Sequence, residues 1–301
     1  MTFDYSQYGG VLVGRQHKVL TITLNSPETL NTFTGPMHTI MSRIWDDAND
    51  DPDVHAVVLT GAGRAFSAGG NVIAMQRKID DPDAWEAGMP EARRIVFRML
   101  ECDKPIIARL NGHAVGLGAT IALLCDIIIA ADHAKIGDPH VNAGLVAGDG
   151  GALIWPQLTG FARAKEYLFT GDLMTAAEAE RIGLINHVVP ADQLDDKVYA
   201  LARRLAGGAM RSIRWTKQAV NIPLRQLAHS MMYLSFVSRR SPIFPRTTRK
   251  RCRPSPRSAG QTSPAAEGRL CWHDLPPVSH RHGMLAAATP VGRGGHQGGT
   301  P

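Results

Sequence analysis

The amino-acid sequence predicts an α/β domain followed by a helical region and an irregular tail. Three observations carry this. Short apolar strand-like runs alternate with helix-like stretches through the first half. Helical spacing dominates from about residue 160. Periodicity stops near residue 237.

The elements follow in order. Val19–Leu24 reads as a strand paired in a hairpin with residues 10–15, and Asn25-Ser-Pro27 as a turn. Residues 36–49 carry Met37, Ile40, Met41 and Ile44 at helical spacing. Residues 54–60 form a buried strand ending at Gly61-Ala-Gly63. Residues 90–102 read as a helix with Ile95, Val96, Met99 and Leu100 on one stripe. Residues 105–110 and Ile127–Ala131 are further buried strands, with a helix over 116–125 between them. Helices are then expected over 161–170, 175–182, 191–205 and 210–221. Thr175-Ala-Ala-Glu178 has the spacing of a capping box, which satisfies orphan N–H groups at a helix start.

At 301 residues, with 44% hydrophobic and 20% charged residues, the chain can bury a large core. It contains no apolar run of membrane-spanning length, and its first 30 residues lack the pattern of a secretory signal. Four cysteines without CxxC spacing argue against a disulfide scaffold and fit a reducing, cytoplasmic setting. The net charge of +6 is unevenly placed. Residues 237–301 hold 11 Lys/Arg against 2 Asp/Glu, so residues 1–236 carry a net −3. The tail also holds 9 of the 19 prolines. Such a composition cannot bury enough apolar area to offset its ordering entropy and reads as disordered. The stretch Arg239–Arg257 nearly lacks the interleaved aromatics that a nucleic-acid-binding arm would carry. Cys271, His273, His280 and His282 match no standard metal spacing.

Two glycine-rich segments follow strands. One is Arg64-Ala-Phe-Ser-Ala-Gly-Gly-Asn71. The other is Asn111-Gly-His-Ala-Val-Gly-Leu-Gly118, leading into a helix. Small residues let a ligand approach backbone, and a helix start offers free N–H groups. Side by side, two such loops could aim two N–H groups at one oxygen, as in an oxyanion hole. Neither is a Walker loop or a full dinucleotide fingerprint.

With these loops, the sequence resembles the enoyl-CoA hydratase/isomerase (crotonase) superfamily over about residues 11–221. The resemblance rests on Leu30-Asn31, Ala65–Asn71, residues 104–118, Cys125-Asp126, residues 144–151, Gly171–Ala179 and Gly183–Pro190, in this order. It implies a crotonase-like spiral of ββα units over residues 1–190, a helical region over 191–236, and the tail over 237–301. It further implies binding of an acyl-CoA thioester, as in fatty acid metabolism, with no separate cofactor because coenzyme A is part of the substrate. A homotrimer or hexamer is expected. The backbone N–H groups of Gly70 and Leu117 would hold the thioester oxygen. Ala68, Gly69, Gly116 and Thr120 would line the substrate. Asn71 stands where the family usually has Asp.

The acid/base residues depart from the family. Its hydratases use two glutamates; here those positions are Thr120 and His140, the latter in Ile136-Gly-Asp-Pro-His140. The nearby candidates are His140, Asp149 and Asp138. His140 and Asp149 are expected to face the acyl group, one removing a proton while the two N–H groups stabilise an enolate. No metal is expected. His113 and Asp126 read as structural. The alternative is a catalytically impaired member that binds CoA thioesters without turning them over.

The tail also reads as out of frame. The resemblance implies an acidic amphipathic helical ending, of the kind SEDHEEAVSAFAEKR. Residues 245–259 can be encoded so that reading from the third base of the Pro245 codon gives EDHEEAVSAFAEKR. A frameshift between about residues 231 and 245 is therefore expected.

Overall fold

The computed structural model describes residues 3–71 and 81–237. Its frame is a six-stranded sheet in the order β1-β2-β3-β5-β7-β10 beside a four-stranded sheet in the order β4-β6-β8-β9. In the large sheet, β1 (Val11–Gln16) and β2 (Val19–Leu24) form the expected antiparallel hairpin. β3 (Ala56–Gly61), β5 (Ile106–Leu110), β7 (Ile127–Ala131) and β10 (His187–Val189) then join in parallel.

Each of β3, β5 and β7 is followed by a three-residue strand that crosses to the small sheet. These are β4 (Ala65–Ser67), β6 (His113–Val115) and β8 (Lys135–Gly137), and β9 (Met174–Thr175) closes that sheet. The chain thus winds as repeated ββα turns. Parallel strands need a crossover, and helices supply it. α3 (Pro82–Glu101) lies between β4 and β5, and α4 (Leu117–Leu123) between β6 and β7.

Burial on both faces explains the unbroken apolar strands. Val57, Leu59, Ile106 and Ala108 join the main core with Ile95, Met99, Ile121 and Trp155. Ala56, Val58, Ile107 and Ile129 point the other way. There α7 (Leu194–Ala206) covers them with Leu194, Val198, Ala202 and Ala206. α8 (Met210–Val237) packs on α3 and is tied down by polar anchors. Lys217 Nζ lies 2.7 Å from Asp126 Oδ2 and donates to the Lys104 carbonyl at 2.9 Å, while Asn221 Nδ2 donates to Leu100 O at 3.1 Å.

Several expectations need correction. Residues 36–49 form two helices, α1 (Gly35–Met41) and α2 (Ile44–Asp50), because Arg43 leaves the helical region at φ −126°. α3 starts eight residues before Pro90, which is accommodated inside it. Proline at 90 therefore marks no boundary here, although it removes one backbone donor. The helix expected over 161–170 is the second half of α5 (Gly151–Thr170), which breaks at Gly160, φ 77°. Residues 191–193 are a short 3-10 turn before α7. α8 runs on to Val237 rather than ending at residue 221. The cap at α6 (Ala176–Arg181) forms as expected, with Glu178 N donating to Thr175 Oγ1 at 3.2 Å. The readings of the tail, including Arg239–Arg257 and the Cys/His group, lie outside the described residues.

Candidate active site

The two glycine-rich segments become β4 and β6 with the turns that follow them, and they lie side by side in the small sheet. Phe33 N donates to Gly69 O at 2.7 Å, and Asn71 N donates to Phe33 O at 3.3 Å. In this bridge Phe33 bonds the residues on either side of Gly70, so Gly70 N–H takes no part in it. Gly116 adopts φ 55°, and Leu117 opens α4 with an N–H that has no helical acceptor. A Cβ on Gly69, whose φ is 84°, would sit 3.3 Å from Leu117 N. The Gly69 turn thus lies against the backbone that carries Leu117.

Ser67 holds this junction together, a role the sequence did not flag. Its Oγ donates to Asn31 O at 2.8 Å and accepts from Gly69 N at 3.1 Å, and it packs against Gly118. Asn31 is fully buried in the left-handed region (φ 55°), and its Nδ2 donates to Ala62 O and Ala65 O, both at 2.9 Å.

The proposed acid/base residues also converge. His140 lies in a 3-10 turn, Pro139–Ala143, directly after β8. Asp149 lies in the glycine turn before α5. His140 Nε2 is 3.4 Å from Asp149 Oδ2, and Thr120 Oγ1 on α4 donates to Asp149 Oδ1 at 3.3 Å. A Cβ on Gly116 would lie 3.6 Å from His140 Cε1, so the imidazole flanks the loop carrying Leu117 N–H. Both residues are buried (6% and 8% exposed), as is Thr120. Asp138, completely buried, contacts His140 Nδ1 with Oδ1 and caps the turn by accepting from His140 N at 3.3 Å.

Asp138 and Asp149 therefore engage opposite ring nitrogens of His140. One ligand atom from each of the three side chains lies within 4.8 Å of the others. His113 and Asp126 each accept from a backbone N–H. His113 Nδ1 accepts from Lys135 N at 3.1 Å. Asp126 accepts from Ile106 N at 2.7 Å and pairs with Lys217; burial nonetheless raises its carboxyl above the usual range. No helix among the described residues is long and apolar enough to cross a membrane.

A spiral of ββα turns whose two glycine-rich segments adjoin a buried His–Asp pair defines a class of protein. The chain belongs to the enoyl-CoA hydratase/isomerase family, which it matches over residues 14–237. It is 35% identical over 216 residues to a crotonyl-CoA hydratase of Syntrophomonas wolfei, covering 71% of this chain and 82% of that protein. It is equally similar, over 217 residues and with the same coverage, to a short-chain-enoyl-CoA hydratase of Clostridium acetobutylicum. Among solved structures, an enoyl-CoA hydratase/isomerase from Mycobacterium paratuberculosis superposes with a TM-score of 0.75 at 35% identity. That alignment covers 80% of this chain and 98% of the other. The crotonase-like fold expected from the sequence is thereby shown.

Proposed function

We propose that the chain is an enoyl-CoA hydratase/isomerase-type enzyme acting on an acyl-CoA thioester, with His140 and Asp149 moving the protons. The observation that carries this is the His140 Nε2–Asp149 Oδ2 contact at 3.4 Å, beside the Gly116-Leu117 loop. The thioester carbonyl oxygen accepts from Gly70 and Leu117 N–H. In isomerisation a base takes the α proton, the electron pair passes to the thioester oxygen as an enolate, and a proton returns at the γ carbon. In hydration, water oxygen bonds the β carbon, the water proton passes to the base, and the α carbon takes a proton from the acid. Ala68 and Gly69 on one side, with Gly116 and Thr120 on the other, line the thioester. Coenzyme A belongs to the substrate, and no further cofactor is required.

A panel of enoyl-CoA thioesters, assayed for water addition and for α-proton exchange in deuterated buffer, tests this. Asp149→Asn and His140→Ala should each abolish both while acyl-CoA still binds. Unchanged turnover in both variants overturns the assignment.

Thr120 favours one second reading. It stands where the hydratases place a glutamate and cannot serve as a base near neutral pH. A CoA-thioester-binding protein without turnover would bind the same ligands yet give no α-proton exchange.

Self-association into a trimer or hexamer is part of the proposal. It is supported by Phe161 and Phe169 on α5 and Trp215 and Val220 on α8, each more than two-thirds exposed. Such side chains are costly to leave in water as a group. Sedimentation of the purified chain checks it, and a monomer mass refutes it.

A further inference from the structure

We infer that Asp138 is a positioning residue that makes His140 the proton donor of the site and leaves Asp149 as the base. This deepens the reading above and rests on it.

The argument begins with where Asp138 can put its charge. Its Oδ1 serves the His140 N–H and the His140 ring. Its Oδ2 has no hydrogen-bond partner among the described residues and is completely shielded from water. A Cβ on Gly151 would overlap that oxygen, so Oδ2 sits against the first residue of α5. Helix starts carry partial positive charge and favour a carboxylate there. Glycine at 151 is what allows the approach. Asp138 is thus fixed from two directions, by the turn that carries His140 and by the start of α5.

An ionised carboxylate at Nδ1 fixes a proton on that nitrogen, because an acceptor-only group cannot face a lone pair. Nε2 then faces Asp149 Oδ2 at 3.4 Å. A lone pair on Nε2 would repel the Asp149 carboxylate, whereas an Nε2–H attracts it. Asp138 meets the ring from its own turn and Asp149 from the segment before α5. On this proposal the ring rests as an imidazolium between the two. It gives its Nε2 proton to carbon while Asp149 Oδ2 accepts one, and transfer between the two resets the pair. One side chain each for acid and base replaces the two glutamates of the family's hydratases.

Two measurements test this. ¹⁵N spectra of histidine-labelled protein at pH 7 should show both His140 ring nitrogens protonated, assigned by loss of the signals in His140→Ala. A neutral His140 ring in the unaltered protein overturns the inference, whatever any variant does. Asp138→Asn should lower kcat at least 10-fold with KM within 2-fold, and shift the alkaline limb of the kcat/KM profile down by one pH unit or more. A general acid is active only while protonated, and the amide no longer supports the imidazolium. A limb that does not move in Asp138→Asn overturns the inference. If His140→Ala abolishes α-proton exchange in the same experiment, the function proposed above survives that failure. Retained exchange in His140→Ala sinks both.

Discussion

Gly69 lies so close to Val115 that a Cβ added to it would overlap the Val115 carbonyl oxygen and sit 3.3 Å from Leu117 N. Both contacts are backbone, so neither can move aside as a side-chain tip would. Its φ of 84° adds a conformation that L-residues seldom adopt. Gly69→Ala should therefore wedge β4 and β6 apart at this contact. Losing one oxyanion donor typically costs about 10²–10³ in kcat. We expect a loss of that order, with a lowered unfolding midpoint. A kcat within 3-fold of the parent would show that Gly70 and Leu117 N–H do not act together.

Thr120 offers a complementary test. Its hydroxyl holds Asp149 at 3.3 Å, and its methyl sits where a Cβ on Gly150 would come within 2.8 Å. Thr120→Val keeps the volume and removes the hydrogen bond, so kcat should fall roughly 10-fold with little change in fold stability. Placing the family's glutamate there should fail differently. Thr120→Glu overfills a buried site, which costs about 1–3 kcal/mol, and sets a second carboxylate beside Asp149. Chemical denaturation and initial rates on both variants distinguish the outcomes. A Thr120→Glu protein that is stable and faster than the parent would refute this account of the site.

Much of this was legible in the sequence. β2, β5 and β7 are runs of apolar and β-branched residues bounded by turn signals, and they form within one residue of expectation. The strands of the small sheet were hidden because β4, β6 and β8 have three residues each, too few for a period to show. They read as loops until pairing with one another defined them. Gly70 and Leu117 were named through resemblance, because a backbone N–H leaves no residue-type signal of its own. His140 and Asp149 were named from absent glutamates, and the fold brings them together from segments nine residues apart. The contribution of Ser67 was invisible, because its partners Asn31 and Gly118 meet it only through tertiary contact. Asp138 was noticed as a neighbour, but the approach of α5 to its Oδ2 has no sequence signal.

The N-terminal segment should make the fold sensitive to alkali. Tyr8 Oη donates to Asp47 Oδ2 at 2.6 Å and Tyr5 Oη to Asp51 Oδ2 at 3.1 Å. Burial, followed by these carboxylates, pushes both phenols well above their usual value of 10. A folded-state value above the unfolded one stabilises the fold fully below the unfolded value. That contribution is lost as pH rises from about 10 through the folded value. Urea midpoints measured between pH 8 and 11 should therefore fall more steeply above pH 10 in the parent than in the Tyr5→Phe, Tyr8→Phe double variant. Parallel curves would show that these hydroxyls do not carry the effect.

The last expectation concerns the coding sequence of the basic tail, and we propose that residues beyond about 231–245 are read out of frame. With synonymous codons chosen to allow it, residues 245–259 can be read in the shifted frame as EDHEEAVSAFAEKR. Acidic residues fill its first turn and Lys-Arg its end, the order that complements a helix dipole. Its Ala, Val and Phe recur at helical spacing, giving one apolar face. The frame actually translated gives Pro245-Arg-Thr-Thr-Arg-Lys-Arg-Cys-Arg-Pro-Ser-Pro-Arg-Ser-Ala259, which has neither property. Sequencing the gene through this stretch should return codons whose third-base reading spells that amphipathic segment. Codons that encode the basic tail but break the shifted reading would dispose of the frameshift. If the shifted reading is found, restoring it should raise the unfolding midpoint, because an apolar helical face would then have the body of the protein to pack against.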